Sequence, residues 1–145
     1  WEMMQDTVRL YATTVSYEGR ALVIKGPSGS GKSSLALALM ALGAELVADD
    51  QTVLTRDQGY LRPSCPHALI GMIEARGIGI LRADMALGPV AVDLVLDLGQ
   101  RATERLPHMQ NILLCGIDFP LLSGHDDPYF MARVFHALKF GFANL

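Results

Sequence analysis

Hydrophobic positions fall along this chain in short runs, and their spacing alternates between the period of a strand and that of a helix. From Val8 to Val15 the residues are β-forming, and Glu18-Gly19 then reads as a turn. Ala21-Leu22-Val23-Ile24-Lys25 is a short apolar strand that runs directly into glycine. Ser34 to Leu42 is helix-forming throughout, with Leu35, Leu39 and Leu42 at helical spacing and Gly43 as the stop. The next strand, Glu45-Leu46-Val47-Ala48, closes on Asp49-Asp50.

Beyond that point the pattern is mainly that of strands. Val53 to Arg62 reads as a hairpin around Asp57-Gln58-Gly59, and Arg62-Pro63-Ser64-Cys65-Pro66 as a constrained loop. Val90, Val92, Leu94, Leu96 and Leu98 alternate with Ala91, Asp93, Val95 and Asp97, which predicts a half-buried strand. Ile112 to Cys115 is another candidate. Asp127-Pro128 then supplies an N-cap and a first-turn proline for a helix with Phe130, Met131, Val134, Phe135 and Leu138 on one face. That stripe reads as core or subunit interface rather than a ligand site. Strand, loop, helix and strand followed by many strands predict a strand-rich α/β fold in a single domain over residues 1–145. Residues 1–5 are expected to lie outside it, as a disordered or vector-derived lead.

Composition narrows the classes. Half of the 145 residues are hydrophobic and 19% are charged, enough apolar surface for a real core. The net charge of −3 gives no general attraction to nucleic acid. No apolar run reaches the length of a membrane span, and the N-terminus has no signal-peptide pattern. Cys65 and Cys115 lack both a disulfide framework and metal-ligand spacing, so a cytoplasmic protein with reduced thiols is expected. His67, His108, His125 and His136 show no mutual ligand spacing either. Arg101, Arg105 and His108 form a basic patch that reads equally as a partner's border and as a solvated loop.

The chemistry concentrates between the first strand–helix pair. Gly26-Pro27-Ser28-Gly29-Ser30-Gly31-Lys32-Ser33 fits GxxxxGK[ST] at every position, leaving a strand and opening a helix, the P-loop context. Its glycines let successive N–H groups converge on phosphate oxygens, and the helix N-terminus, from Ser34 on, adds donors and partial positive charge. Lys32 brings a full charge to the terminal phosphates of ATP, and the Ser33 hydroxyl is suited to Mg²⁺. Asp49-Asp50 follows one helix and one strand later, so the pair can return to the phosphate end of the sheet. One carboxylate there would orient Mg²⁺ and the other accept a proton from an attacking hydroxyl. Adjacent acids on a strand face opposite ways, so both reach the site only if the strand has ended.

Three segments together resemble one family: the loop Gly26 to Ser33, the run Leu46-Val47-Ala48-Asp49-Asp50, and Ile73-Glu74-Ala75-Arg76-Gly77-Ile78-Gly79-Ile80-Leu81. The last is similar to the E-x-R-G-[LI]-G-I signature of HPr kinase/phosphorylase, and the chain resembles the family's short form, without the N-terminal domain. The resemblance implies a fold similar to phosphoenolpyruvate carboxykinase, a hexamer, and ATP with Mg²⁺ used to phosphorylate a serine of the phosphocarrier HPr. It implies Asp49 as general base with Asp50 beside it, Ser33 and Glu74 at the metal, and Arg76 at the phosphates. Two positions depart from the family pattern. Tyr11 stands in place of a histidine, and a phenol does not titrate near neutral pH as an imidazole does. Pro120-Leu121-Leu122-Ser123-Gly124-His125-Asp126 replaces a basic P-x-x-x-G-R-N loop. Both weigh against the phosphorylase reaction, and the second leaves a regulatory nucleotide-binding module as the alternative function.

Overall fold

The computed structural model describes residues 6–143, so the expected lead at residues 1–5 lies outside the described residues. Its centre is a six-stranded sheet. In chain order the strands are β1 (Thr7–Leu10), β2 (Ala12–Tyr17), β3 (Arg20–Lys25), β4 (Glu45–Ala48), β5 (Thr52–Asp57), β6 (Tyr60–Ser64), β7 (Met72–Ala75), β8 (Gly79–Arg82), β9 (Ala91–Arg101), β10 (Gln110–Leu114) and β11 (Ile117–Gly124). The helices are α1 (Lys32–Ala41) and α2 (Phe130–Phe140). The large sheet runs β10-β11-β9-β3-β2-β4, a smaller one β1-β5-β6, and β7 pairs only with β8.

Two apolar clusters hold these layers together. On one face of the large sheet Leu22, Ile24, Leu94 and Leu96 pack against Leu39 of α1 and Val134 and Leu138 of α2. On the other, Val23 and Val95 pack against Val8, Leu54 and Leu61 of the small sheet. The molecule is therefore a strand-rich α/β domain of helices, sheet and second sheet, with the central strands buried on both faces.

Several expectations change. Val8 to Val15 is two strands separated by a bend at Tyr11, and the halves join different sheets. The strand expected to be half-buried, β9, is central and covered on both sides. Pairing with β3 shifts between Ala21 and Leu22, with Val92 and Leu94 as their partners, so Asp93 is an extra residue. That bulge puts Val92 on the small-sheet face and Leu94 and Leu96 on the helix face, which breaks the simple alternation. Leu42 caps α1 instead of extending it and is exposed. Arg62-Pro63-Ser64 continues β6 because Pro63, with no N–H to give, sits on an edge strand. Asp127 does not cap α2 directly. Its carboxylate accepts the Tyr129 N–H at 2.8 Å, and the helix starts at Phe130. Pro120 to Gly124 is strand rather than loop, parallel to β9.

Candidate active site

The phosphate-loop motif sits where its spacing put it, between the end of β3 and the start of α1. A Cβ at Gly26 would meet Ser30 Oγ at 2.7 Å and Leu98 Cβ at 3.2 Å, and φ there is +153°, so only glycine fits this close turn. Gly31 precedes α1 and no side chain caps the helix, so the first-turn N–H groups face the loop. Lys32 arches back, its Nζ donating to the carbonyls of Gly26 at 2.8 Å and Pro27 at 3.2 Å.

A cleft of about 480 Å³ opens over this loop. Gly26, Pro27, Ser28, Gly29, Gly31, Lys32, Ser33 and Ser34 line it, together with Asp50, Glu74, Arg76, Tyr11 and Thr13. Ser30 alone of the expected loop residues turns inward, with a buried hydroxyl that finds no partner. Its N–H donates to Pro27 O at 3.1 Å and closes the loop's turn.

The two aspartates separate. β4 ends at Ala48, so the chain bends just where both acids could reach the site. Asp49 is 7% exposed and is the hub of a polar network. Its Oδ1 accepts from the Ser33 hydroxyl at 2.6 Å and the Thr13 hydroxyl at 2.9 Å, and its Oδ2 accepts from the Glu74 N–H at 2.9 Å. Asp49 thus ties the phosphate loop, β2 and β7 together from beneath, and is not part of the cleft wall. Asp50 is exposed on that wall, with φ +67° and its N–H 3.4 Å from the Thr13 hydroxyl. Glu74 and Arg76 come from the β7–β8 hairpin, whose Ile73 is anchored in the core while both polar side chains are exposed. Alternation explains this: Ile73 and Ala75 point inward, Glu74 and Arg76 outward.

Thr13 was not legible as a site residue. Its signal was a pair of polar residues in an otherwise apolar strand, and both Thr13 and Thr14 are buried and hydrogen-bonded. Cys65 lies half-buried, and burial followed by the charge of Asp49 pushes its thiol above the usual range.

No group of three or more His, Cys, Asp or Glu side chains is placed to hold a metal among the described residues. The oxygen donors Ser33, Asp50 and Glu74 in the cleft lining nevertheless suit Mg²⁺. That ion prefers few carboxylates shared with phosphate oxygens over an all-protein cage. The loop below them suits the polyphosphate of a nucleotide. Among the described residues no helix is long and apolar enough to cross a membrane.

Comparison with known proteins gives this arrangement relatives. HPr kinase/phosphorylase of Clostridium tetani is 37% identical over 97 residues, which cover 67% of this chain and 31% of that protein. The enzyme of the same name from Bordetella pertussis is 33% identical over 129 residues, or 81% of this chain and 42% of the relative. The chain therefore spans less than half the length of these relatives. The solved structure of the Hpr(Ser) kinase/phosphatase from Coxiella burnetii shares the fold, with TM-score 0.71 at 22% identity over 91% of this chain and 94% of that one. Residues 2–99 match the HPr Serine kinase C-terminal domain, and the chain belongs to that family.

Proposed function

We propose that this domain is an ATP- and Mg²⁺-dependent kinase that phosphorylates a serine hydroxyl of an HPr-like phosphocarrier. The observation that carries this reading is the Asp49 network, which joins the phosphate loop, the strand-end acids and the Glu74–Arg76 hairpin at one cleft. A site that only bound Mg-nucleotide would need no carboxylate beyond those that hold the metal.

We assign the two acids differently from what the family resemblance implies. Both oxygens of Asp49 are engaged by donors, so its role is to aim the Ser33 hydroxyl and fix Glu74. Ser33 and Glu74 would hold Mg²⁺, which when bound would supply charge to offset that of the outer phosphates. Asp50, on the open wall, is the carboxylate that takes the proton of the attacking serine hydroxyl. Phosphoryl transfer through a loose transition state needs that base to be well placed rather than strong. Lys32 and Arg76, both lining the cleft, offset charge on the transferring group.

A direct assay decides it. Wild-type protein, Mg²⁺, ATP labelled in its terminal phosphate and an HPr protein should yield one labelled serine, and Lys32→Ala should abolish the label. Label-free HPr, with nucleotide binding intact, would leave the regulatory-module reading. That alternative draws support from the segment after β11, where Asp126 and Asp127 pair with Arg101 at 3.3 Å and Arg133 at 2.7 Å. Arg101, one member of the basic patch, is thereby partly neutralised.

A further inference from the structure

Tyr11 lines the phosphate cleft, yet the transfer described above gives it no part. The residue is 75% exposed, an aromatic ring at a polar pocket instead of in the core. Its backbone, by contrast, is pinned on both sides. Leu10 pairs with Thr52 in the small sheet and Ala12 with Lys25 in the large one. The Thr52 hydroxyl also donates to the Ala12 carbonyl at 2.9 Å. Lys25 is the last residue of β3 before the phosphate loop, so this antiparallel register sets Tyr11 at the level of Gly26.

The same strand end is tied to the acids. Two residues beyond Tyr11, the Thr13 hydroxyl donates to Asp49 Oδ1 at 2.9 Å and lies 3.4 Å from the Asp50 N–H, which it accepts. Tyr11 and Asp50 are thus set by one short stretch of β2, and both line the cleft with Lys32 and Arg76. Acceptance of a phosphoryl group needs a nucleophile and a base in place more than it needs a strong base. The other hydroxyls of the cleft are less suited. Those of Thr13 and Ser33 are engaged by Asp49, and Ser28 and Ser34 belong to the segment that would wrap the phosphates.

We propose that Tyr11 is an internal phosphoryl acceptor. With no acceptor protein present, the domain passes the terminal phosphoryl group of its own bound ATP to the Tyr11 hydroxyl. The phenolic oxygen forms the new bond to phosphorus, and the bond from that phosphorus to the bridging oxygen breaks. ADP leaves with that electron pair, and the phenol proton passes to Asp50. ATP is the only co-reactant, and the products are ADP and an aryl phosphate. This inference rests on the kinase reading of the same site and adds a second acceptor to it.

The test follows label on two acceptors. Wild type is incubated with Mg²⁺ and ATP labelled in its terminal phosphate, once alone and once with an HPr protein. Alone, the chain should take up label that survives alkali, as a tyrosine phosphate does and a serine phosphate does not. Trypsin should release it in the peptide Leu10–Arg20, with fragmentation placing it on Tyr11. The other tyrosine of that peptide, Tyr17, packs edge-on against Phe135 and should stay unlabelled. ATP labelled in its innermost phosphate should leave none, and Tyr11→Phe should lose the self-label. A tagged Lys32→Ala chain mixed with wild type should stay unlabelled, because transfer occurs within one cleft. The inference is overturned if HPr is labelled while the chain alone is not. It also falls if the label sits on a serine, a threonine or Tyr17, or appears on the Lys32→Ala chain. If HPr too remains unlabelled, the kinase reading fails with it, and the HPr arm tells the two failures apart.

Discussion

Asp49 and Asp50 are adjacent in sequence and opposite in circumstance. Asp49 is buried with three donors on its two oxygens, while Asp50 stands free on the cleft wall. Their asparagine variants should therefore fail differently. Asp50→Asn keeps the shape and removes the proposed proton acceptor, so nucleotide affinity should hold while single-turnover transfer falls about 10² to 10⁴-fold. Asp49→Asn turns one acceptor oxygen into a donor that faces other donors. It should cost about 1–3 kcal/mol of stability, read as a shifted denaturant midpoint, and should weaken Mg²⁺-dependent binding. If Asp49→Asn alone abolished transfer at unchanged stability and affinity, the exchange of roles between the two acids would be wrong.

At the level of elements, the β7–β8 hairpin delivers Glu74 and Arg76 from outside the two main sheets. Gly77, beside Arg76 in its turn, has φ +83°, a conformation that β-branched residues strongly resist. Gly77→Val should displace Arg76, lowering transfer while ATP affinity and melting temperature change little; a large fall in melting temperature would show the hairpin to be structural. At the start of α2 the Tyr129 N–H, then Arg133, hold the Asp127 carboxyl below its usual range. A depressed carboxylate pKa adds stability above the unfolded value, and that contribution disappears as pH falls through the folded one. Wild type should thus lose more stability below about pH 4 than Asp127→Asn does, and coincident acid curves would contradict it. The same elements show what the sequence could reveal. Strand, loop, helix and strand around Gly26 to Asp50 were legible because local turn chemistry and short apolar runs determine them. The β7–β8 pairing and the full length of β11 were not. β8 is exposed throughout and β11 contains Pro120, so neither carries the period of a strand with one buried face. The Thr13–Asp49 bond joins residues 36 apart, and no local pattern encodes such a contact.

For the whole molecule, the phosphate loop joins β3 and α1, both of which supply core residues against the large sheet. A ligand seated on it stabilises the entire native state by mass action. Mg-ATP at a hundred times its dissociation constant should add about 2.7 kcal/mol, visible as a higher melting temperature. Lys32→Ala should remove most of that shift. An unchanged wild-type melt in millimolar Mg-ATP would count against nucleotide binding at this cleft.

The parallel pairing of β3 with β9 also bears on how the chain reaches its native state. Lys25, which leads into the phosphate loop, is registered against Asp97, and the intervening chain must be closed before that pair can form. Parallel contacts between distant segments are among the slower ones to assemble, because loop entropy is lost before the contacts compensate for it. Recovery of nucleotide binding during refolding should therefore trail the return of helical signal from α1. A fluorescent ATP analogue and far-ultraviolet circular dichroism, followed in one stopped-flow series, would expose that lag. Simultaneous recovery would mean that the loop takes shape with its own helix, before β9 has docked.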